Sequence, residues 1–99
     1  MKYYISGTLM PKDGHIKEFR KEIDPFCASA LSKGDTIDLG DMACRVKLKI
    51  LFLPQNELHV DIGDIASRFT DQSEAAINDA VIEMKAIGFE FYEGDKWLI

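Results

Sequence analysis

The sequence has few of the residues that would support a disulfide, a metal centre or a membrane anchor. Its two cysteines, Cys27 and Cys44, do not form a Cys-x-x-Cys motif, so neither a zinc knuckle nor a thioredoxin-type site is predicted. Two thiols without such a motif are typical of a reducing compartment, and we expect a cytoplasmic protein. The first residues lack the apolar core of a signal peptide, and the longest apolar run, residues 50–53, is far too short to cross a membrane.

Two further shortages concern the recognition of phosphate. The 7 glycines are dispersed and form none of the Gly-rich motifs that hold nucleotide phosphates. The 12 Lys and Arg residues are outnumbered by 17 Asp and Glu residues, which gives a formal net charge of −5. Because binding to a nucleic-acid backbone requires clustered basic residues, this balance argues against nucleic acid as a partner. We expect no cofactor.

The hydrophobic pattern predicts strands in both halves of the chain. Residues 2–9 are rich in β-branched and aromatic side chains, and a turn over residues 11–14 follows them. Strict alternation over residues 44–53, followed by a second alternating run at residues 58–62, predicts an antiparallel hairpin. Residues 89–99 read as strand, turn and strand.

Within residues 44–53, Arg45, Lys47 and Lys49 alternate with apolar side chains. A period of two with charge on one side is typical of a half-buried antiparallel strand. The core side of this strand is predicted to hold Val46, Leu48, Ile50 and Phe52. The three cations would then form a basic strand face in solvent.

Two segments have a helical period instead. Over residues 15–30, apolar residues recur at steps of three and four, which predicts a helix packed by one face. Asp24 and Pro25 interrupt it, and we expect a kink or a restart there, with Asp24 as N-cap and Pro25 at the first helical position. Ser73 is a suitable N-cap for a second helix over residues 74–87.

These elements predict an α+β fold in a single domain over residues 1–99. The expected architecture is an antiparallel sheet with two helices on one face, a variant of the ferredoxin-like βαββαβ arrangement. It would bury the apolar stripes of both helices and leave the basic strand face exposed.

The last third of the chain also fits an alternative. Residues 61–69, residues 73–87 and the final hairpin follow the order helix, turn, helix and wing. The run Ser-Glu-Ala-Ala-Ile-Asn at residues 73–78, with the later Gly88-Phe89 pair, resembles the recognition-helix region of winged-helix modules. The resemblance implies a C-terminal winged-helix-like unit in a nucleic-acid-binding regulator. The acidic residues of that helix would repel phosphates, which argues against this function.

Acidic residues are concentrated towards the C-terminus, and they suggest a different partner. Glu74, Asp79 and Glu83 lie on the second predicted helix together with the apolar Ile82. An apolar stripe rimmed by acids is a candidate surface for a basic protein.

Tyr92 and Trp97 lie near the final turn and are aromatic anchors of the type enriched at interfaces. We therefore predict a small acidic, non-enzymatic protein that acts by protein–protein contact, as an inhibitor, an immunity-type protein or a phage accessory or adaptor factor. An exposed sheet edge would also permit a homodimer.

Catalytic and metal-binding patterns are weak. His15 and His59 are the only imidazoles, and His59 with Asp61 on one strand face could form a base with its orienting group. A surface pair of this kind is usually structural. Asp35, Asp38 and Asp41 do not match the calcium-loop motif, and Asp35 and Asp41 are assigned to turns. We predict no catalytic and no metal site.

Overall fold

The computed structural model describes residues 1–12 and 14–99. The strands are β1 (Lys2–Leu9), β2 (Lys17–Ile23), β3 (Thr36–Asp38), β4 (Ala43–Arg45), β5 (Leu48–Phe52), β6 (Glu57–Asp64), β7 (Glu90–Glu93) and β8 (Lys96–Leu98). The helices are α1 (Pro25–Ala30), a short 3₁₀ helix (Ala66–Arg68) and α2 (Glu74–Ala86). Asp13, inside the turn predicted over residues 11–14, lies outside the described residues.

The main sheet has six strands in the order β5-β6-β1-β2-β7-β8. β1 pairs in parallel with β6 and antiparallel with β2, and the other neighbours are all antiparallel. β3 and β4 form a separate two-stranded sheet. β1 is therefore a central strand, and both of its edges are paired.

The hydrophobic core lies on the face of the main sheet that α2 covers. Ile77 and Met84 of α2 are buried there with Phe19 of β2 and Phe91 of β7. The ring of Phe19 meets those of Phe89 and Phe91 at centroid distances of 5.4 and 5.8 Å, within the range that aromatic pairs prefer. The remaining members of this buried cluster are Ile5, Leu9, Cys44, Val46, Val60, Ile62, Ile65 and Ala66.

Gly7 of β1 occupies a point where a side chain would not fit. A Cβ there would lie 2.6 Å from the carbonyl oxygen of Gly63 and 2.7 Å from Cζ of Phe19. Phe19 is directly opposite Gly7 in the register of β1 and β2. The ring of Phe19 thus occupies the space that a side chain at position 7 would need.

The predicted ferredoxin-like arrangement with two helices on one face is wrong, because the chain is mostly sheet. Residues 17–23 form β2 instead of a helix, α1 has only 6 residues, and α2 is the one long helix in the described part. Phe19, Lys21 and Ile23 alternate on the core side of β2, opposite Gly7, Ile5 and Tyr3. The charge of Lys21 conceals this alternation in the sequence, because a lysine can lay its stem along an apolar surface.

The strand predicted over residues 44–53 is divided between the two sheets. The Val46 N–H donates to the Asp35 carbonyl at 2.9 Å, so the hydrogen bond of Val46 continues the pairing of the small sheet. The next residue, Lys47, donates instead to the carbonyl of Asp61 in β6 at 2.8 Å. The chain therefore changes sheets between these two residues.

This change of sheet reverses which side chains face the core. Leu48, Ile50 and Phe52 of β5 pair with Asp61, His59 and Glu57 and so lie on the opposite face of the main sheet. Lys49 and Leu51 lie on the core side. Arg45, Lys47 and Lys49 are all exposed, but they do not lie on one strand.

The winged-helix-like alternative is also wrong. The segment that should be its first helix forms the end of β6 and the 3₁₀ helix at residues 66–68. The hairpin that should be its wing is β7 and β8, and β7 pairs with β2 inside the main sheet. The helix, turn, helix and wing arrangement on which the nucleic-acid alternative depended is therefore not formed.

Both predicted helix starts are confirmed. Asp24 is the N-cap of α1 and accepts a hydrogen bond from the Cys27 N–H at 2.8 Å, with Pro25 at the first helical position. Ser73 is the N-cap of α2 and accepts from the Ala76 N–H at 3.3 Å. Each side chain satisfies an amide that the helix itself leaves free.

We expect Gly7→Ala to lower the free energy of unfolding by about 2–3 kcal/mol, because the methyl group must displace the Phe19 ring or the β6 backbone. Gly34→Ala measures backbone strain without a steric clash: Gly34 has a positive φ of 91°, which an alanine rarely adopts, and a Cβ there meets no atom within 4 Å. Urea unfolding measures both losses. A loss below about 1 kcal/mol for Gly7→Ala would show that the close approach at Gly7 does not limit the substitution.

Candidate functional site

A groove lies between α2 and the turn that joins β3 to β4. Its volume is about 650 Å³, a size that suits a small ligand or a few side chains of a partner. Much of its lining is apolar and comes from three parts of the chain. These apolar residues are Leu39, Met42, Phe69, Ala76, Ala80, Met84 and Ile87.

Four carboxylates also line this groove. Asp41 comes from the β3–β4 turn, Asp71 precedes α2, and Asp79 and Glu83 belong to α2. Arg68 is the one cationic side chain among the lining residues that the structure describes. The groove therefore combines an apolar lining with an excess of negative charge, and we call it the acidic groove.

Local hydrogen bonds fix the turn that forms one wall. The Gly40 N–H donates to Oδ1 of Asp38 at 2.8 Å, and the Leu39 N–H donates to the Met42 carbonyl at 2.8 Å. Gly40 has a φ of 103°, which other residues rarely adopt. This tight turn presents Asp41 to the groove.

The start of α2 fixes the other carboxylates. Oδ1 of Asp71 accepts a hydrogen bond from the Ser73 N–H at 2.9 Å. Hydrogen bonds from Ser73 hold the pKa of Asp71 below its ordinary value, so it stays ionised. Asp79 and Glu83 are four residues apart on α2 and therefore project from the same side of the helix.

Glu83 and Asp41 both line the groove and influence each other's charge, and we call them the carboxyl pair. Asp41 raises the pKa of Glu83, first because the protonated carboxyl group of Glu83 can donate a hydrogen bond to Asp41 and second through charge repulsion. Desolvation and the charge of Asp79 act in the same direction. The groove thus holds a proton more readily than an isolated glutamate would.

The structure places the predicted acidic-helix residues in three positions. Asp79 and Glu83 line the acidic groove, whereas Glu74 borders a second depression beside Lys12. Ile82 lines neither and is 66% exposed. Asp41 was predicted only as a turn residue, and its place in the acidic groove was missed. Nothing in the sequence shows that the β3–β4 turn packs beside α2.

The opposite face of the main sheet carries a row of stacked side chains, one from each of its six strands. We call it the stacking row. In order of contact, its members are Phe52 of β5, His59 of β6, Tyr4 of β1, Arg20 of β2, Trp97 of β8 and Tyr92 of β7. Successive members are separated by 4.8, 5.1, 4.5, 4.2 and 5.3 Å. The contact of Arg20 with Trp97 passes over β7, and the other contacts join neighbouring strands, whose side chains on one face are close enough to interact.

Arg20 is the charged centre of the stacking row. Its guanidinium group lies over the rings of Tyr4 and Trp97, and Glu57 and Glu90 flank it at 3.8 and 3.6 Å. Its Nε is buried without a hydrogen-bond partner. The two carboxylates offset its charge, so the row is not an anion site.

The predicted aromatic anchors belong to this row. Tyr92 is 43% exposed, and its ring meets that of Trp97 at 5.3 Å. Trp97 is half-buried and stacks on Arg20. These rings therefore stabilise the sheet through each other, and whether they also contact a partner stays a prediction.

His59 does not pair with Asp61 as the sequence suggested. Its Nε2 is 2.9 Å from Oε1 of Glu57, while Oδ1 of Asp61 accepts from the Gly63 N–H at 3.1 Å. Asp35 and Asp38 accept backbone hydrogen bonds in turns. Within residues 1–12 and 14–99, no three His, Cys, Asp or Glu side chains converge as metal ligands.

Comparison with known proteins adds no relative. The chain matches no protein-family model, and neither a curated protein nor a solved structure is significantly similar to it. No helix in the described part of the chain has the length and apolar character that a membrane crossing requires. Function must therefore be inferred from the chain's own residues.

We expect Arg20→Met to lower the free energy of unfolding by about 3 kcal/mol, because it leaves Glu57 and Glu90 partly buried without their cation. Lys33→Met removes the same charge from an exposed loop and should cost little. Urea unfolding, followed by the fluorescence of Trp97, measures both. A loss no larger than that of the control would contradict a stabilising role for the stacking row.

We expect Glu83→Gln to stabilise the protein at neutral pH but not in acid. Because the pKa of Glu83 is raised on folding, the folded protein binds more protons than the unfolded chain between the ordinary and the raised value. The contribution of Glu83 to stability is therefore fully present below the ordinary pKa of a glutamate, and it is lost as the pH rises through the raised pKa of Glu83 in the folded protein. Melting temperatures across this range test it, with Glu74→Gln as control. A benefit from Glu83→Gln that does not grow with pH would rule out the carboxyl pair.

Proposed function

We propose that this protein acts by contact with another protein and that the acidic groove binds a basic segment of that partner. The fitting segment carries an apolar side chain for the lining formed by residues such as Met42 and Met84, next to Lys or Arg for the carboxylates. Complementary charge of this kind directs association and excludes partners of the wrong sign.

The observation that carries this proposal is the excess of carboxylates in the groove, which Asp41, Asp71, Asp79 and Glu83 line with Arg68 as the one cation among the described lining residues. Asp41 also raises the pKa of Glu83, as expected when no cation offsets the repulsion between two carboxylates. A lysine or arginine from a partner would supply that cation and bring the pKa of Glu83 back towards its ordinary value. Asp79 and Asp71 would add to the attraction.

Binding accounts for this lining better than catalysis does. The described lining has no His or Cys, and its one hydroxyl group belongs to Thr70, so a hydroxyl or thiol nucleophile with an adjacent imidazole base is not assembled there. A small acidic protein that binds a basic surface would suit an inhibitor, an immunity-type protein or an accessory factor. A cytoplasmic location fits the two free thiols, of which Cys27 is exposed and Cys44 buried.

The test compares three baits in affinity capture from the native cell lysate, with nuclease added. One bait is the natural chain, and the second carries Asp41→Asn, Asp79→Asn and Glu83→Gln. The third carries Glu18→Gln, Glu22→Gln and Asp95→Asn, which remove the same charge from exposed positions outside the groove. We expect one protein with a basic binding segment to be retained by the first and third baits, and its affinity to fall about tenfold or more for the second.

Two results would refute the proposal. A partner retained equally by all three baits would bind elsewhere on the protein. A partner released by nuclease would be held through nucleic acid and would not depend on the groove.

A further inference from the structure

β5 is the longer of the two unpaired edges of the main sheet. It has 5 residues and pairs only with β6, whereas the other edge strand, β8, has 3 residues. Within the described residues no strand pairs with the outer side of β5, so alternate N–H and C=O groups along it point away from the sheet. Natural sheets usually shorten or cover such an edge.

The side chains of this edge are apolar on both faces of the sheet. Leu48 and Phe52 lie on the face of the stacking row and are 46% and 37% exposed. Leu51 lies on the core side, yet it is 49% exposed, because α2 packs against β7 at the other end of the sheet. Leu53, directly after the strand, is 74% exposed. An added strand could cover apolar side chains on both faces.

The charge beside this edge is opposite to that of the whole chain. Residues 42–56 contain Arg45, Lys47 and Lys49 and no acidic residue, in a chain whose formal net charge is −5. All three cations are exposed, and none forms an ion pair within the described residues. Lys49 lies on the β5 strand itself, beside Leu51.

We propose that the β5 edge binds an extended segment of a partner protein in which apolar side chains alternate with Asp or Glu. The segment would add a seventh strand, using the free backbone groups of β5, and its carboxylates would meet Lys49 and Lys47. This surface shares no residue with the acidic groove, so the inference does not depend on the function proposed above.

A second copy of the chain fits this edge less well. Two copies paired through β5 would bring Lys49 of each copy and the adjacent Lys47 close together, and like charges on neighbouring strands repel. The cations beside β5 therefore disfavour a second copy of the chain and favour an acidic partner strand.

The test uses a short synthetic peptide that alternates Glu and Val, with blocked ends. Two control peptides replace every Glu with Lys, or the central Val with Pro. We expect the Glu–Val peptide alone to slow amide exchange in β5 and to shift its resonances, with no such effect in β8. The double variant Lys47→Glu/Lys49→Glu should bind the peptide about tenfold more weakly, whereas Lys33→Glu/Lys96→Glu, with the same change of net charge at other exposed positions, should bind within about threefold of the natural chain.

Several outcomes would overturn the inference. These are no protection of β5 by the Glu–Val peptide, equal protection by either control peptide, or equal loss of affinity in both double variants. A dimer of the natural chain paired through β5 in the absence of peptide would assign the edge to a second copy instead. None of these results depends on the acidic groove, whose carboxylates are unchanged in every variant.

Discussion

The close packing of Phe19 on Gly7 is the contact on which the rest of the structure depends. It lies between β1 and β2, where the absence of a side chain lets an aromatic ring reach the backbone of the central strand. The same ring meets Phe89 and Phe91, which fix the end of α2 and the position of β7. One residue without a side chain therefore allows the Phe19 ring to pack between the central strand and the aromatic residues after α2.

The position of α2 decides which parts of the main sheet stay uncovered. The helix covers the β7 end of the sheet and forms the acidic groove with the β3–β4 turn, so the far edge at β5 stays uncovered. Negative charge gathers around Glu83, and positive charge around Lys49. A chain with a net negative charge thus presents two small surfaces of opposite sign.

Local signals in the sequence predicted local structure well. Asp24 and Ser73 identified both helix starts, because capping depends on atoms only a few residues apart. The arrangement of the sheet was not predictable in the same way. Lys21 on the core side hid the period of β2, and the change of sheet after Val46 depends on hydrogen bonds to distant residues. Of the carboxylates in the acidic groove, the sequence predicted Asp79 and Glu83 as site residues but not Asp41, which comes from a turn far away in the sequence.

The parallel pairing of β1 with β6 also constrains how the chain can fold as it is made. β1 is synthesised before β6, and the register pairs Lys2 with Glu57, so its second neighbour is missing while the intervening chain is translated. Until then β1 has only the β2 hairpin, and an isolated two-stranded hairpin is marginal in water. The ring of Phe19 must likewise wait for Phe89 and Phe91, near the C-terminus. Contacts between residues so distant in the sequence are typical of slow folding.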